Sequence, residues 1–278
     1  MATPVPHRPP RHPGLPFWLF GASQLLVGLA WWQLGWRIGL PLMLASHLLV
    51  LWGVLWPRSA LFAPVLHGMP TRERDVWLTI DDGPSGDTRR ILDLLDVYGA
   101  RATFFVVGER ALERPEDVRE IVRRGHGIGN HSMSHPSGTF WALGPRALDR
   151  QVAQAQEAIT RVCGVLPCWF RAVVGMANPF LSLALKRHGL ARVAWNARGF
   201  DAVRPDPGIV VDRVMRGLRP GAIILMHEGA AHGRNVEAMG LLLSSLSAAG
   251  YRCVLPRPLG SGSTGRDDQP VVERGPAV

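Results

Sequence analysis

Two carboxylates stand side by side in Thr79-Ile-Asp-Asp-Gly-Pro84. Adjacent acids repel, so the pair needs a nearby cation. Side chains of neighbouring residues on extended backbone point apart, so Asp81 and Asp82 can serve different roles, one holding a metal and one facing a substrate. The same Asp-Gly-Pro is also ordinary turn chemistry. Farther on, His131 and His135 lie four residues apart in His131-Ser-Met-Ser-His135-Pro136. If that segment makes one helical turn, both imidazoles face one ion; otherwise they are surface loop histidines. One carboxylate with two histidines is a recurrent catalytic zinc set that leaves positions open for water and substrate, which makes Asp82, His131 and His135 the candidate metal triad. His227 follows an apolar run in Leu225-Met-His-Glu228 and is a candidate general acid, with a satisfied core histidine as the alternative. Arg171, in Trp169-Phe-Arg171, needs a carboxylate partner, and Asp81 or Asp201 would serve. His232 and Asn235 read as residues of a solvated loop.

The elements that must position these residues alternate. Short β-type runs occur at 76–80, 102–107, 127–131, 168–171, 191–195, 222–226 and 252–255. Between them, helical spacing covers 88–98, 115–124, 145–162, 179–188, 208–217 and 236–249. Repeated β-α units predict a parallel sheet, open or closed into a barrel, within an α/β fold. Chemistry in such folds gathers at the C-terminal ends of strands, and Asp81, Asp82, His131, Arg171 and His227 all fall there.

Ahead of this domain, Arg11 and Arg37 bracket one stretch without charge and Arg37 and Arg58 a second. Each is about the 20 residues a helix needs to cross a bilayer. Six of the ten tryptophans lie in them, mostly near the ends, where indole favours the interface. The expected organisation is a basic tail at 1–14, a transmembrane hairpin at 15–56 (spans 15–36 and 38–56) and a linker at 57–74. A catalytic domain at 75–257 and a disordered tail at 258–278 complete it. Arg8, Arg11, Arg58, Arg72 and Arg74 lie on the domain's side of the hairpin against Arg37 in the connector, so the positive-inside rule places the domain on the cytoplasmic face of an inner membrane. The net charge of +9 suits an anionic membrane surface, so membrane lipids are expected partners. Without a basic run or an aromatic-interleaved basic stripe, nucleic acid is not. Three cysteines without a Cys-x-x-Cys give neither a disulfide framework nor a cysteine zinc site. Neither His-Glu-x-x-His nor Gly-x-Ser-x-Gly is present, against a protease.

In this order, the segments resemble the polysaccharide deacetylases with a NodB-homology domain, carbohydrate esterase family four. The likeness covers roughly residues 75–255. It is carried by Thr79-Ile-Asp-Asp-Gly-Pro84 and by Gly125-His-Gly-Ile-Gly-Asn-His-Ser-Met-Ser-His-Pro136. The resemblance implies a distorted (β/α) barrel preceded here by the hairpin. It implies Asp81 as general base, Asp82, His131 and His135 as ligands of a divalent metal, Zn²⁺ foremost, and His227 as general acid. Arg171 would hold and tune Asp81, and Leu225 and Trp195 would line a pocket for the acyl methyl. Asp201, the acid kept in Trp195-Asn-Ala-Arg-Gly-Phe-Asp201, would join them as a substrate contact. The chain departs from the family in three places. The residues after Arg171 are Ala-Val-Val, Ala202 stands where a tryptophan is usual, and Glu228 replaces an aspartate. The implied activity is removal of an N-acetyl or N-formyl group from an amino sugar on a lipid-linked or envelope glycan. The alternatives are a deacetylase of extracytoplasmic peptidoglycan and a catalytically silent, membrane-bound sugar binder.

Overall fold

The computed structural model describes residues 3–259. In chain order the elements are β1 (Thr3–Pro6), α1 (Leu15–Leu34), α2 (Trp36–Leu55), β2 (Val65–Leu66), β3 (Asp75–Gly83), α3 (Thr88–Val97), β4 (Ala102–Val106), α4 (Gly108–Glu113), α5 (Pro115–Arg123) and β5 (Gly127–Asn130). They continue as α6 (Pro145–Cys163), β6 (Trp169–Phe170), α7 (Leu181–Arg187), β7 (Ala191–Val193), β8 (Ala197–Arg198), α8 (Pro207–Arg216), β9 (Ile223–His227), α9 (Asn235–Ala248), β10 (Arg252–Cys253) and β11 (Pro256–Leu259).

Parallel strands in the order β2-β7-β6-β5-β4-β3-β9-β8 form one curled sheet, with β10 added at the start of β3. This half-barrel with surrounding helices is the expected architecture. The helices are amphipathic and turn their apolar stripes inward: Ile91, Leu92 and Leu95 of α3, Val118 and Ile121 of α5, and Leu242 and Leu246 of α9 are all buried against the sheet. The concave interior is aromatic, filled by Trp77, Phe105, Trp169 and Trp195 with Leu225 and Ile223. Glycines make this possible at β5: a Cβ on Gly127 would strike Thr103, and one on Gly129 would strike the Phe105 ring. That close approach of side chain to backbone explains two glycines of the histidine motif.

α1 and α2 behave differently. Each is 20 residues, about 30 Å at 1.5 Å per residue, and each is apolar on every side. α1 has no buried residue, and α2 buries only Gly39, Gly53 and Val54. Gly35, at φ 78, makes the reversal between the two antiparallel helices two residues earlier than the sequence spans predict, which puts Arg37, expected in the connector, in the first turn of α2. Both are long and apolar enough to cross a membrane.

Both chain segments flanking the pair are tied to the barrel. β1 runs parallel to β11, and its Val5 is fully buried among the interior aromatics at the N-terminal ends of the sheet strands. His7 Nε2 lies 3.0 Å from the carbonyl of Cys168, and its ring meets Trp169 edge-on. After α2, buried Arg192 of β7 donates to the carbonyls of Pro57 (2.9 Å) and Ser59 (3.0 Å), and β2 adds to the sheet edge beside β7. The segment expected as a plain linker therefore contains a strand and a clamp, and the basic tail contains a strand. Residues 258 and 259, expected in a disordered tail, belong to β11, because their backbone pairs with β1. The remainder of that expected tail, 260–278, lies outside the described residues.

Candidate active site

The site sits at the C-terminal ends of β3, β5, β6 and β9. β3 and β9 pair in register, so Asp81 stands opposite His227. At the end of β3 the ladder slips between Asp81 and Gly83, and Asp82 adopts φ 69. That left-handed residue turns its carboxylate away from its neighbour's, which is how two consecutive acids reach two tasks. Arg110 of α4 fixes the turn by donating to the carbonyl of Asp82.

His131 and His135 come together, but not on a helical turn. The segment is a tight loop with Ser132 at φ 70 and His135 at φ 50. Side chains replace the missing helical bonds. Asn130 accepts from the Ser132 amide (2.9 Å), and Gln151 of α6 accepts from the amides of Met133 (3.1 Å) and Ser134 (3.0 Å). Asn130 is itself held by Gln156 and the carbonyl of Val152. His131 Nδ1 lies 2.9 Å from the Arg171 carbonyl, which leaves Nε2 aimed at the carboxylates.

Asp82 Oδ1 is 3.4 Å from His131 Nε2 and 3.0 Å from His135 Nε2. One ligand atom from each of Asp82, His131 and His135 falls within 4.8 Å of the others. Burial would raise the Asp82 pKa, but hydrogen bonding and charge from His131 and His135 outweigh it and hold the carboxyl far below its usual range. Desolvation would lower His131, and Asp81 with Asp82 more than reverses this, raising it. Asp82 Oδ1 is buried, and among the described residues no donor, the two nearby imidazoles included, meets it in full hydrogen-bond geometry. An orphaned carboxylate oxygen beside two imidazole nitrogens is an oxygen–nitrogen–nitrogen donor set that fits a borderline divalent cation.

Asp81 is buried and has a different partner. Its Oδ1 accepts from Arg171 Nη1 at 2.7 Å, while Oδ2 is 3.7 Å from His131 Nε2. Arg171 has no exposed surface. It bonds Thr79 Oγ1 (2.7 Å), reaches the carbonyls of Val193 and Ala194, and lies 4.2 Å over the Phe105 ring. Burial lowers the Arg171 pKa and pairing with Asp81 opposes that fall. Of the two carboxylates expected as its partner, Asp81 is the one.

His227 is held from behind. Asp201 accepts from its Nδ1 at 2.9 Å and from its backbone N–H at 2.6 Å. Desolvation would lower His227, but the Asp201 charge and hydrogen bond, with Asp81 and Asp82 beyond, raise it to about 9. Asp201 was expected at the substrate. It is buried, and both its carboxylate oxygens are engaged by His227. His232 and Asn235, expected in a solvated loop, hold the Asp201 carbonyl, and Asn235 is fully buried. Leu225 and Trp195 meet in the interior cluster, Trp195 bordered by Gly175 and 5.7 Å from the Arg171 guanidinium.

Sequence reasoning missed Thr79, Phe105, Arg110, Gln151 and Gln156. Thr79 alone had a signal, as a polar inward residue in an apolar strand. Glu228 was seen only as a departure. It is buried and accepts from Ser85 N (3.2 Å), Ser85 Oγ (2.8 Å) and Thr88 Oγ1, pinning the loop after Asp82 to the residue after His227.

Comparison with known proteins agrees with this geometry. Residues 68–193 match the family described as polysaccharide deacetylase. A chitooligosaccharide deacetylase of Sinorhizobium fredii is 38% identical over 175 residues, 62% of this chain and 76% of that one. A peptidoglycan-N-acetylglucosamine deacetylase of Bacillus cereus is 30% identical over 190 residues, 67% of this chain and 88% of that one. Among solved structures, a carbohydrate esterase family four pseudoenzyme of Bacillus anthracis superposes with a TM-score of 0.62 at 26% identity, covering 68% of this chain and 66% of that one. A fold shared with a pseudoenzyme does not carry activity by itself, so the residues of the site must. By fold, motif and identity together, this chain belongs to the polysaccharide deacetylase family, the NodB-homology group of carbohydrate esterase family four.

Proposed function

We propose that this chain is a divalent-metal-dependent hydrolase that removes an N-acyl group, acetyl or formyl, from an amino sugar, and that it works while anchored in a membrane by α1 and α2. The observation that carries the reading is the pairing of two separate devices across one site. Asp82, His131 and His135 supply a ligand set, and Asp81 and His227 face each other from paired strands, each backed by its own partner. Zn²⁺ is the expected ion from the oxygen–nitrogen–nitrogen donors; when bound, it would polarise the amide carbonyl and lower the pKa of water.

The chain's own residues do the rest. Asp81 keeps Oδ1 on Arg171 and offers Oδ2 to the site as the base that takes the proton from attacking water. Arg171 fixes that carboxylate in place. His227, raised to about 9, is protonated at neutral pH and donates from Nε2 to the departing amine, because Nδ1 is engaged by Asp201. Trp195 and Leu225 form the apolar wall expected to receive the acyl methyl.

Anchoring is supported by the apolar, unburied surface of α1 and α2 and by the tethers on both sides of them. Because β1 and the linker both join the barrel, the chain enters and leaves the pair on one side, which favours a two-span hairpin over a cleavable leader. Pro57 and Trp195 border Gly175, and Val54 accepts from the Ala177 amide, so the helix ends stand beside the loop that follows Arg171. That nearness favours a lipid-linked or envelope glycan presented at the membrane surface. The arginine count favours the cytoplasmic side for the domain. The name of the Bacillus cereus relative favours the second reading, an exported peptidoglycan deacetylase.

Acetate or formate release from N-acylated chitooligosaccharides by the purified full chain, before and after chelation and zinc re-addition, tests the activity. Activity that survives complete metal removal would sink the proposal. A C-terminal reporter active only outside the cytoplasm, paired with one that fluoresces only inside, separates the two substrate readings.

A further inference from the structure

A pocket of about 700 Å³ lies away from the site, where the tail, the start of α1, the loop at 60–64 and α7 meet. Its charged residues are Arg8, Arg11 and Lys186, with His12 beside them, and among the described residues no acidic side chain lines it. Leu15 and Pro16 bring the N-terminal end of α1 to its wall. That helix has no acid in its first turn and no side chain capping its end, so its partial positive charge is unopposed. The first turn of α1 beside the pocket is apolar and aromatic. Leu15, Phe17 and Trp18 are exposed, and across the hairpin base Trp56 carries Arg58 5.4 Å over its ring. Three cations and a helix N-terminus meet in the pocket, and exposed aromatic residues of α1 follow directly from its wall.

We infer that this pocket binds the phosphate group of a membrane lipid headgroup, holding the barrel down on the bilayer surface. The inference rests on the proposed anchoring by α1 and α2 and is independent of the chemistry at Asp81 and His227. Arginine matches phosphate geometry with two parallel donors, and each cation at an anionic surface strengthens attachment about fivefold. The exposed Leu15, Phe17 and Trp18 of α1, next to the pocket, would meet the glycerol and upper acyl region, which favours a lipid headgroup over a free anion.

The full chain in nanodiscs of mixed phosphatidylglycerol and phosphatidylcholine tests this, comparing wild type with an Arg8→Gln/Arg11→Gln/Lys186→Gln variant by native mass spectrometry. Wild type is expected to retain phosphatidylglycerol over phosphatidylcholine by on the order of tenfold, and the variant to show no preference. Both should turn over a soluble chitooligosaccharide at the same rate. Displacement by an added polyprenyl diphosphate, but not by inorganic phosphate, would support the site and name a lipid-linked diphosphate as its source. Displacement by inorganic phosphate at equal concentration would overturn the lipid assignment, and equal retention by wild type and variant would overturn the pocket. Carbonate extraction separates the two layers of the argument. Release of the wild type from membranes overturns anchoring and the pocket with it, whereas a retained chain lacking lipid preference overturns the pocket alone.

Discussion

At the scale of single residues, the proposed function assigns holding an ion and moving protons to different groups. Asp82→Ala and His131→Ala are each expected to lose bound metal, measured by elemental analysis, together with activity. Asp81→Asn is expected to keep the metal and lose turnover by about 10³-fold; near-full turnover would show that the base lies elsewhere. The second proton device has its own signature. Asp201 raises His227 to about 9, so activity that needs the imidazolium is expected to fall as pH rises through about 9. The linked stability has the same sign: a raised histidine contributes fully below its unfolded value of about 6.5 and loses that contribution as pH climbs through about 9. Asp201→Asn is expected to move the alkaline limb of the kcat–pH profile down toward 6.5 while leaving metal content unchanged. An unmoved limb would show that Asp201 only packs.

At the scale of elements, the order of strands is what converts scattered motifs into a site. Burial at the junction of β9 and the loop entering α3 pushes Glu228 up to about 7, even though Thr88 and Ser85 bond its carboxylate. Its folded value exceeds the ordinary 4.5, so the folded state holds the proton more tightly and stability falls as pH rises from about 4.5 to about 7. Glu228→Gln is expected to flatten that slope, worth about 3 kcal/mol at most, in thermal unfolding followed from pH 5 to pH 8. A slope equal to wild type would mean that the proton resides on another group. Much of this scale was legible beforehand. The strand-end positions of Asp81, Arg171 and His227 follow from period and alternation, because each caps an apolar run, and His131 ends the short Gly127–Asn130 strand read between two helices. The histidine loop was not legible as a loop. A four-residue spacing fits a helical turn equally well, and the deciding bonds come from Gln151 and Gln156 on a helix whose inward face was read only for apolar residues. Asp201 was misplaced for a related reason: sequence showed the acid but not that His232 and Asn235 turn its carbonyl aside and leave its carboxylate behind His227. α4 escaped notice because its six residues are too short to show a period.

At the scale of the whole molecule, the barrel and the two long helices form one mechanical unit. Val5 fills the end of the barrel opposite the site, fully buried against Trp77 and Trp169. Val5→Asp would place an unpaired carboxylate among indoles and is expected to cost at least about 3 kcal/mol in denaturant unfolding followed by tryptophan fluorescence. Unchanged stability would show that β1 is not part of the folded barrel, and the argument for a hairpin with both ends on one side would lose its structural support.

The pairing of β1 with β11 also sets a timetable. Thr3 finds its partner at Pro256, almost the full described length away, so among the described residues the first strand waits for the last. Until then the barrel end near Trp77 and Trp169 stays open, its aromatic lining within reach of solvent and chaperones. If the apolar helices insert while the chain is still emerging, the waiting strand is held near the membrane and the search for its partner shortens from a whole-chain encounter to a local one. The hairpin would then serve as a folding jig before it serves as an anchor. A chain whose helices are deleted should close its barrel more slowly than one in which they are present.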